Sequence, residues 1–150
     1  MAETSREPVD PEEPLACVSY RLRRAARKAA VLFDRALRPA GLRNTQFSLL
    51  GALNYLGDIS IGDLAVELAT DPTTLNRNLR VLIRDGLVED FEAEDGRIRL
   101  VRLTAKGRKR LAEALPLWRA AQAQVLSELG DARWTETRET LRRIEIATGV

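Results

Sequence analysis

Residues 71–86 read Asp-Pro-Thr-Thr-Leu-Asn-Arg-Asn-Leu-Arg-Val-Leu-Ile-Arg-Asp-Gly, and this stretch decides the fold. Asp71 is a helix N-cap residue, and Pro72 sits where a missing N–H costs nothing. Leu75, Leu79, Leu82 and Ile83 recur at i, i+4, i+7 and i+8, one apolar stripe, and Gly86 stands where a left-handed C-terminal cap is wanted. The result is a helix of about four turns. At roughly 100° per residue, the opposite face carries Thr73, Thr74, Arg77, Arg80 and Arg84, with Asn76 and Asn78 on its shoulders. Hydroxyls, amides and guanidiniums are the groups that read base edges and hold phosphates.

A shorter helix precedes it. Ser60 caps its start, Asp63 completes a partial capping box, and Leu64, Ala65 and Leu68 form its buried side. A helix, a tight turn through Ala69 and Thr70, and a polar-faced second helix make a helix-turn-helix pattern. A plain helical hairpin with solvated arginines fits this part equally well. The residues that follow favour the first reading. Two strand-like runs, Leu87 to Glu92 and Ile98 to Leu103, flank Asp95-Gly96 and predict a β-hairpin. From Gly96 to Arg110 there are seven basic residues (Arg97, Arg99, Arg102, Lys106, Arg108, Lys109, Arg110) and no acid. A basic hairpin beside a recognition helix suits an arginine tip in a minor groove while the helix occupies the major groove.

Asp71-x-x-Thr74 followed by Arg77, Leu82 and Gly86-Leu87-Val88, then Asp95-x-Arg97 and Leu103-Thr104-x-x-Gly107, resembles the MarR family of bacterial transcription regulators. Gln46-Phe47-Ser48-Leu49-Leu50 extends the likeness toward the N-terminus. The resemblance implies that Arg97 enters the minor groove and that Asp95, two residues earlier, holds it. It also implies a homodimer on a pseudo-palindromic duplex, released by a small aromatic or phenolic ligand or by thiol oxidation. Two positions depart from the pattern: Gly96 and Val81 stand where many members carry a basic residue.

The 150-residue chain suits one compact protomer, with 45% hydrophobic and 31% charged residues. Its net charge of +2 is small for a DNA binder until it is divided. Residues 1–13 hold five acids and one base, a net of −4, which leaves +6 for the remainder. Pro8, Pro11 and Pro14 and few apolar residues make 1–14 a mobile acidic tail. Residues 15–42 predict an N-terminal dimerisation helix, because Val18, Leu22, Ala25, Ala29, Leu32 and Ala36 recur at spacings of four and three. Residues 43–107 form the winged helix-turn-helix region, opening with a helix from Asn44 to about Leu56, and Ile59-Ser60-Ile61 adds a short strand to the wing. Residues 108–150 supply C-terminal dimerisation helices, with Pro116 expected to kink or split the first and Gly130 to separate it from a second helix, Asp131 to about Ala147. The fold class is thus mainly α with a small β wing, a winged helix-turn-helix between long terminal helices.

The composition argues against an enzyme. The chain has no histidine, no glycine-rich phosphate loop and one cysteine, so neither a histidine-based catalytic site nor a nitrogen-ligated metal is available, and no cofactor is expected. The acidic group Glu89, Asp90, Glu92, Glu94 and Asp95 is expected to be solvated. No apolar run reaches the roughly 18 residues of a membrane span, and the acidic N-terminus is unlike a secretory signal, so a cytoplasmic protein is expected. Cys17 lies at the start of the first long helix with Arg21 at i+4 and Tyr20 beside it, which reads either as an oxidisable thiolate or as a small buried hydrophobe. A ligand crevice would have Phe47, Tyr55 and Trp118 as walls and Arg21 or Arg24 as carboxylate partner, and the same aromatics read equally as core. A winged-helix module serving only protein interaction or dimerisation is the remaining alternative to a DNA-binding repressor.

Overall fold

A computed structural model describes residues 12–93, 96 and 98–149. It is predominantly helical, with seven α-helices and one small antiparallel sheet among the described residues. Residues up to Leu32 and residues from Phe33 onward form two compact units, and each is taken by itself.

The first unit holds α1 (Glu13–Ala16) and most of α2 (Val18–Leu37). The single helix expected from Leu15 to Pro39 is therefore interrupted at Cys17, whose ψ of 126° is extended rather than helical. The apolar period runs through Cys17 without a break, so nothing in the side-chain pattern marks the backbone change. Within the protomer the expected apolar stripe is largely open: Val18, Ala25 and Ala29 are exposed, and Leu22 and Leu32 are half-buried.

The second unit begins in the last turns of α2, which tightens into a 3-10 turn (Arg38–Ala40) ending at Gly41. Next come α3 (Asn44–Leu56), β1 (Ile59–Ser60), α4 (Ile61–Glu67) and α5 (Pro72–Arg84). Strands β2 (Val88–Glu92) and β3 (Arg99–Leu103) follow, then α6 (Ala105–Leu129) and α7 (Asp131–Thr148). Strand β3 is central, pairing antiparallel with β2 (Val88↔Leu103) and with β1 (Ile59↔Val101). The third strand expected at Ile59-Ser60 is thus present.

The core gathers Leu37, Leu50, Leu53, Leu64, Leu75, Leu79, Leu82, Leu87 and Val101, all essentially inaccessible. Each such leucine contributes about 1.5–3 kcal/mol over an exposed one. This core fixes the orientation of α5, because its whole apolar stripe is inserted there. Helix α7 has no buried residue, and Trp134, Leu141 and Ile144 remain half-buried along one side. Pro116 does not split α6, which runs unbroken through it. Both Pro116 and Ala112, the residue whose carbonyl loses its partner, are exposed, so water can solvate the freed oxygen and the lost bond is inexpensive.

Candidate nucleic-acid interface

The helix-turn-helix is held by caps that the sequence specifies. Ser60 Oγ accepts from the Asp63 amide at 3.0 Å and donates to the Asp63 carboxylate at 2.7 Å, closing the start of α4. The turn runs through Ala69, whose φ of 45° is left-handed, with Ala69 N–H on Val66 O and Thr70 N–H on Ala65 O. Asp71 Oδ1 then accepts from the Thr74 amide at 2.8 Å, starting α5 at its first residue. At the other end Gly86, with φ +69°, provides the left-handed stop, and Leu87 N–H returns to Leu82 O.

The Asp71 carboxyl lies below the ordinary aspartate range, chiefly because the Thr74 hydroxyl and then the Thr74 amide hydrogen-bond its charged form. A depressed folded pKa adds stability that is present above the unfolded pKa of about 3.9 and is lost as pH falls through the folded value. Asp71→Asn, which keeps an acceptor at the cap, is expected to remove this part of the acid-side loss. Asp71→Ala is expected to lower the melting temperature at neutral pH as well. Thermal scans from pH 7 down to pH 3 check both.

On the outward face of α5, Thr73, Arg77, Arg80 and Arg84 are exposed, and Thr74, Asn76 and Asn78 are half-buried. Arg84 is engaged by Asp85 at 3.0 Å, and Asn76 Nδ2 donates to Pro72 O at 2.8 Å. Among the described residues, Arg77 and Arg80 have no intramolecular polar partner. They are the free guanidiniums of this helix. A groove of about 220 Å³ separates α5 from the start of α3, lined by Asn44, Thr45, Ser48, Thr70, Thr74 and Asn78. It is smaller than the roughly 300–1,000 Å³ of a typical small-molecule pocket, and Leu49, Leu68 and Leu75 line it beside these hydroxyls and amides. Sequence analysis did not nominate Thr45 or Ser48. Their i, i+3 spacing on one side of α3 was the available signal.

The wing has a different electrostatic character from the one its basic run suggests. Arg99 is ion-paired with Asp90 on the neighbouring strand. Arg102 donates to Glu89 at 2.7 Å, lies 3.7 Å from Asp58 and stacks over the Phe91 ring at 4.3 Å. Two of the wing arginines therefore carry their own counter-charges. Gly96, at φ +68°, takes the turn conformation that the Asp-Gly pair predicts. Asp95 and Arg97 lie outside the described residues.

Of the residues nominated for a ligand crevice, Phe47, Tyr55 and Trp118 lie in the second unit and Arg21 and Arg24 in the first. Phe47 and Trp118 stack on each other, centroids 5.8 Å apart and planes 20° apart, and both belong to the core or pack directly on it. Within the protomer each is the other's ring neighbour. Tyr55, eight residues further along α3 and so about 12 Å away, is 87% exposed. Arg21 and Arg24 are exposed on α2. Cys17 is exposed, and its thiol is shifted down by the Tyr20 and Ser19 amides and then by Arg23, not by Arg21. No group of acidic or cysteine side chains able to hold a metal occurs among the described residues, and none of their helices is long and apolar enough to cross a membrane.

The sequence model of the MarR family matches residues 40–98, which span α3, the helix-turn-helix and the first half of the wing. The HTH-type transcriptional repressor Rv2887 of Mycobacterium tuberculosis is 30% identical over 134 residues, covering 89% of this chain and 94% of that repressor. The chain belongs to the MarR family. Among solved structures, the M. tuberculosis transcriptional regulator MosR in complex with DNA is 42% identical, with a TM-score of 0.77 over 89% of this chain and 99% of its own. Bordetella bronchiseptica BpsR, whose DNA binding is regulated by 6-hydroxynicotinic acid, is 25% identical with a TM-score of 0.80, covering 93% of this MarR-family chain and 98% of its own. The chain is thus a winged-helix transcription regulator of the MarR family.

Proposed function

We propose that this MarR-family regulator is a cytoplasmic homodimeric repressor that binds a pseudo-palindromic duplex. Its α5 helices enter successive major grooves roughly one helical turn apart, and its wings enter the flanking minor grooves. The observation that carries this reading is the capped α5, locked to the core by its leucines while Arg77 and Arg80 face outward without partners. Thr73, Thr74, Asn76 and Arg77 address base edges or position the helix against them, and Arg80 and Arg84 hold phosphates. Arg97 is the minor-groove reader and Asp95 its positioner. Arg99, tied to Asp90, contributes less than its charge alone suggests. The open stripe of α2 and the unburied α7 support dimerisation through residues 15–42 and 108–150, around a reading head of residues 43–107. Most of the acidic tail, residues 1–11, lies outside the described residues.

Release from DNA follows one of two routes. The relative regulated by 6-hydroxynicotinic acid supports a small aromatic or phenolic ligand. The exposed, acid-shifted Cys17 supports the other, in which peroxide oxidises its thiolate to a sulfenic acid that condenses with a small thiol or with the partner subunit.

Fluorescence anisotropy on the duplex upstream of its own gene, against a scrambled duplex across a salt series, tests the reading. The expected result is saturable, salt-sensitive binding to the first duplex that is lost on peroxide or aromatic-acid treatment. With Cys17→Ser, persistence of the peroxide response rules out the thiol route and loss of it supports that route. Equal weak binding of both duplexes, and of genomic fragments tried next, would favour a winged-helix interaction module.

A further inference from the structure

The first two turns of α6 carry Lys106, Arg108, Lys109 and Arg110 without an acid, an arrangement that invites a phosphate-binding reading. It is also unfavourable in itself, because cations at a helix N-terminus face the positive end of the helix dipole. The structure shows where three of the four charges go. Lys106 Nζ donates to Asp85 O at 2.7 Å, Arg108 Nη1 to Leu103 O at 2.9 Å, and Arg110 Nη1 to Ala40 O at 3.1 Å. Each acceptor is a carbonyl at the end of another element: the C-cap of α5, the last residue of β3, and the turn that follows α2. Among the described residues, Lys109 alone of the four makes no intramolecular polar contact.

The Lys106 contact matters most for DNA reading. The C-terminal carbonyls of α5 are the negative end of its dipole, where an ammonium is favourable and an unsatisfied carbonyl is not. Beside Lys106, Thr104 Oγ1 donates to Gly86 O at 2.8 Å and accepts from the Gly107 amide at 2.9 Å. The consecutive carbonyls of Asp85 and Gly86 at the end of α5 are therefore held by the N-cap and the first turn of α6. Resting on the reading that α5 enters the major groove, we infer that Lys106 is a positioning residue that fixes the C-terminal end of α5 against α6, and not a phosphate-binding residue.

The test uses the full-length protein with Lys106→Met, Lys106→Arg and Lys109→Met. Without DNA, amide hydrogen exchange at Asp85, Gly86 and Leu87 is expected to quicken several-fold in Lys106→Met, to return toward wild type in Lys106→Arg, and to stay unchanged in Lys109→Met. On DNA, Lys106→Met is expected to lower the ratio of affinity for the upstream duplex over the scrambled one about fivefold while keeping the salt slope. The inference is overturned by unchanged exchange in Lys106→Met, or by an equal loss on both duplexes with a slope smaller by about 0.9 per protomer, the mark of a lost phosphate contact. If the wild-type protein does not discriminate between duplexes, it is the DNA reading that fails, and the exchange measurement still decides whether Lys106 fixes α5.

Discussion

Gly107→Ala is expected to destabilise the protein by about 3 kcal/mol, or to lower its melting temperature by about 6–12 °C. A Cβ built at Gly107 meets Leu87 O at 2.0 Å and Leu103 Cδ1 at 2.7 Å. The oxygen belongs to the backbone, so no rotamer change can relieve the clash. Leu87 is itself buried, and its carbonyl also accepts from the Thr104 amide at 3.1 Å, so moving it pulls β2, β3 and the end of α5 together. The gain of roughly 1 kcal/mol from replacing a helical glycine by alanine is too small to offset this displacement. Gly51 provides the control within the same fold, since it lies inside α3 with nothing within 4 Å of an added Cβ. There the propensity gain stands alone, and Gly51→Ala is expected to be stabilising by about 0.5–1 kcal/mol. Urea unfolding of both variants at one fixed protomer concentration checks the pair, and equal stability of the two would mean that the α6–wing joint yields freely.

Local chemistry made most of the reading head legible. Asp71-Pro72 and Gly86 bound α5 at the expected residues, Ser60 and Asp63 close α4, and Asp-Gly places the wing turn, because caps and turns are decided by a few neighbouring residues. Pairings across distant segments were less accessible. The acid-free run from Gly96 to Arg110 looked like one basic surface, yet Asp90, Glu89 and Asp58 sit beside Arg99 and Arg102 only once the strand register is known. Lys106, Arg108 and Arg110 are likewise directed by tertiary packing to carbonyls up to 70 residues away. The aromatics of the supposed crevice were ambiguous for a related reason: periodicity assigns Phe47 and Trp118 to buried faces but cannot say whether they meet each other or a ligand. Of the two outcomes expected at Pro116, a kink or a split, the split does not occur, because the freed carbonyl belongs to an exposed residue.

The same distinction between free and engaged arginines sets the expected effect of removing DNA contacts. Arg77→Ala combined with Arg80→Ala is expected to weaken binding to the specific duplex by at least about thirtyfold, since each lost contact is worth roughly 1–3 kcal/mol. Both side chains are exposed on the outer face of α5, and among the described residues neither has a carboxylate partner. Each can therefore displace close to a full counterion from DNA, whereas Arg99 and Arg102 must first give up Asp90 and Glu89. The salt slope of the double variant is expected to fall by up to about 1.8 per protomer. Arg99→Ala is expected to change it by less than half that amount. Stability should change little in the double variant, because neither guanidinium is packed or bonded within the protomer, so a lost affinity cannot be attributed to unfolding. Anisotropy titrations of wild type, the double variant and Arg99→Ala across the same salt series separate the alternatives. If Arg99→Ala reduced the slope as much as the double variant does, the wing pairs would open on DNA, and the wing would share the phosphate contacts equally with α5.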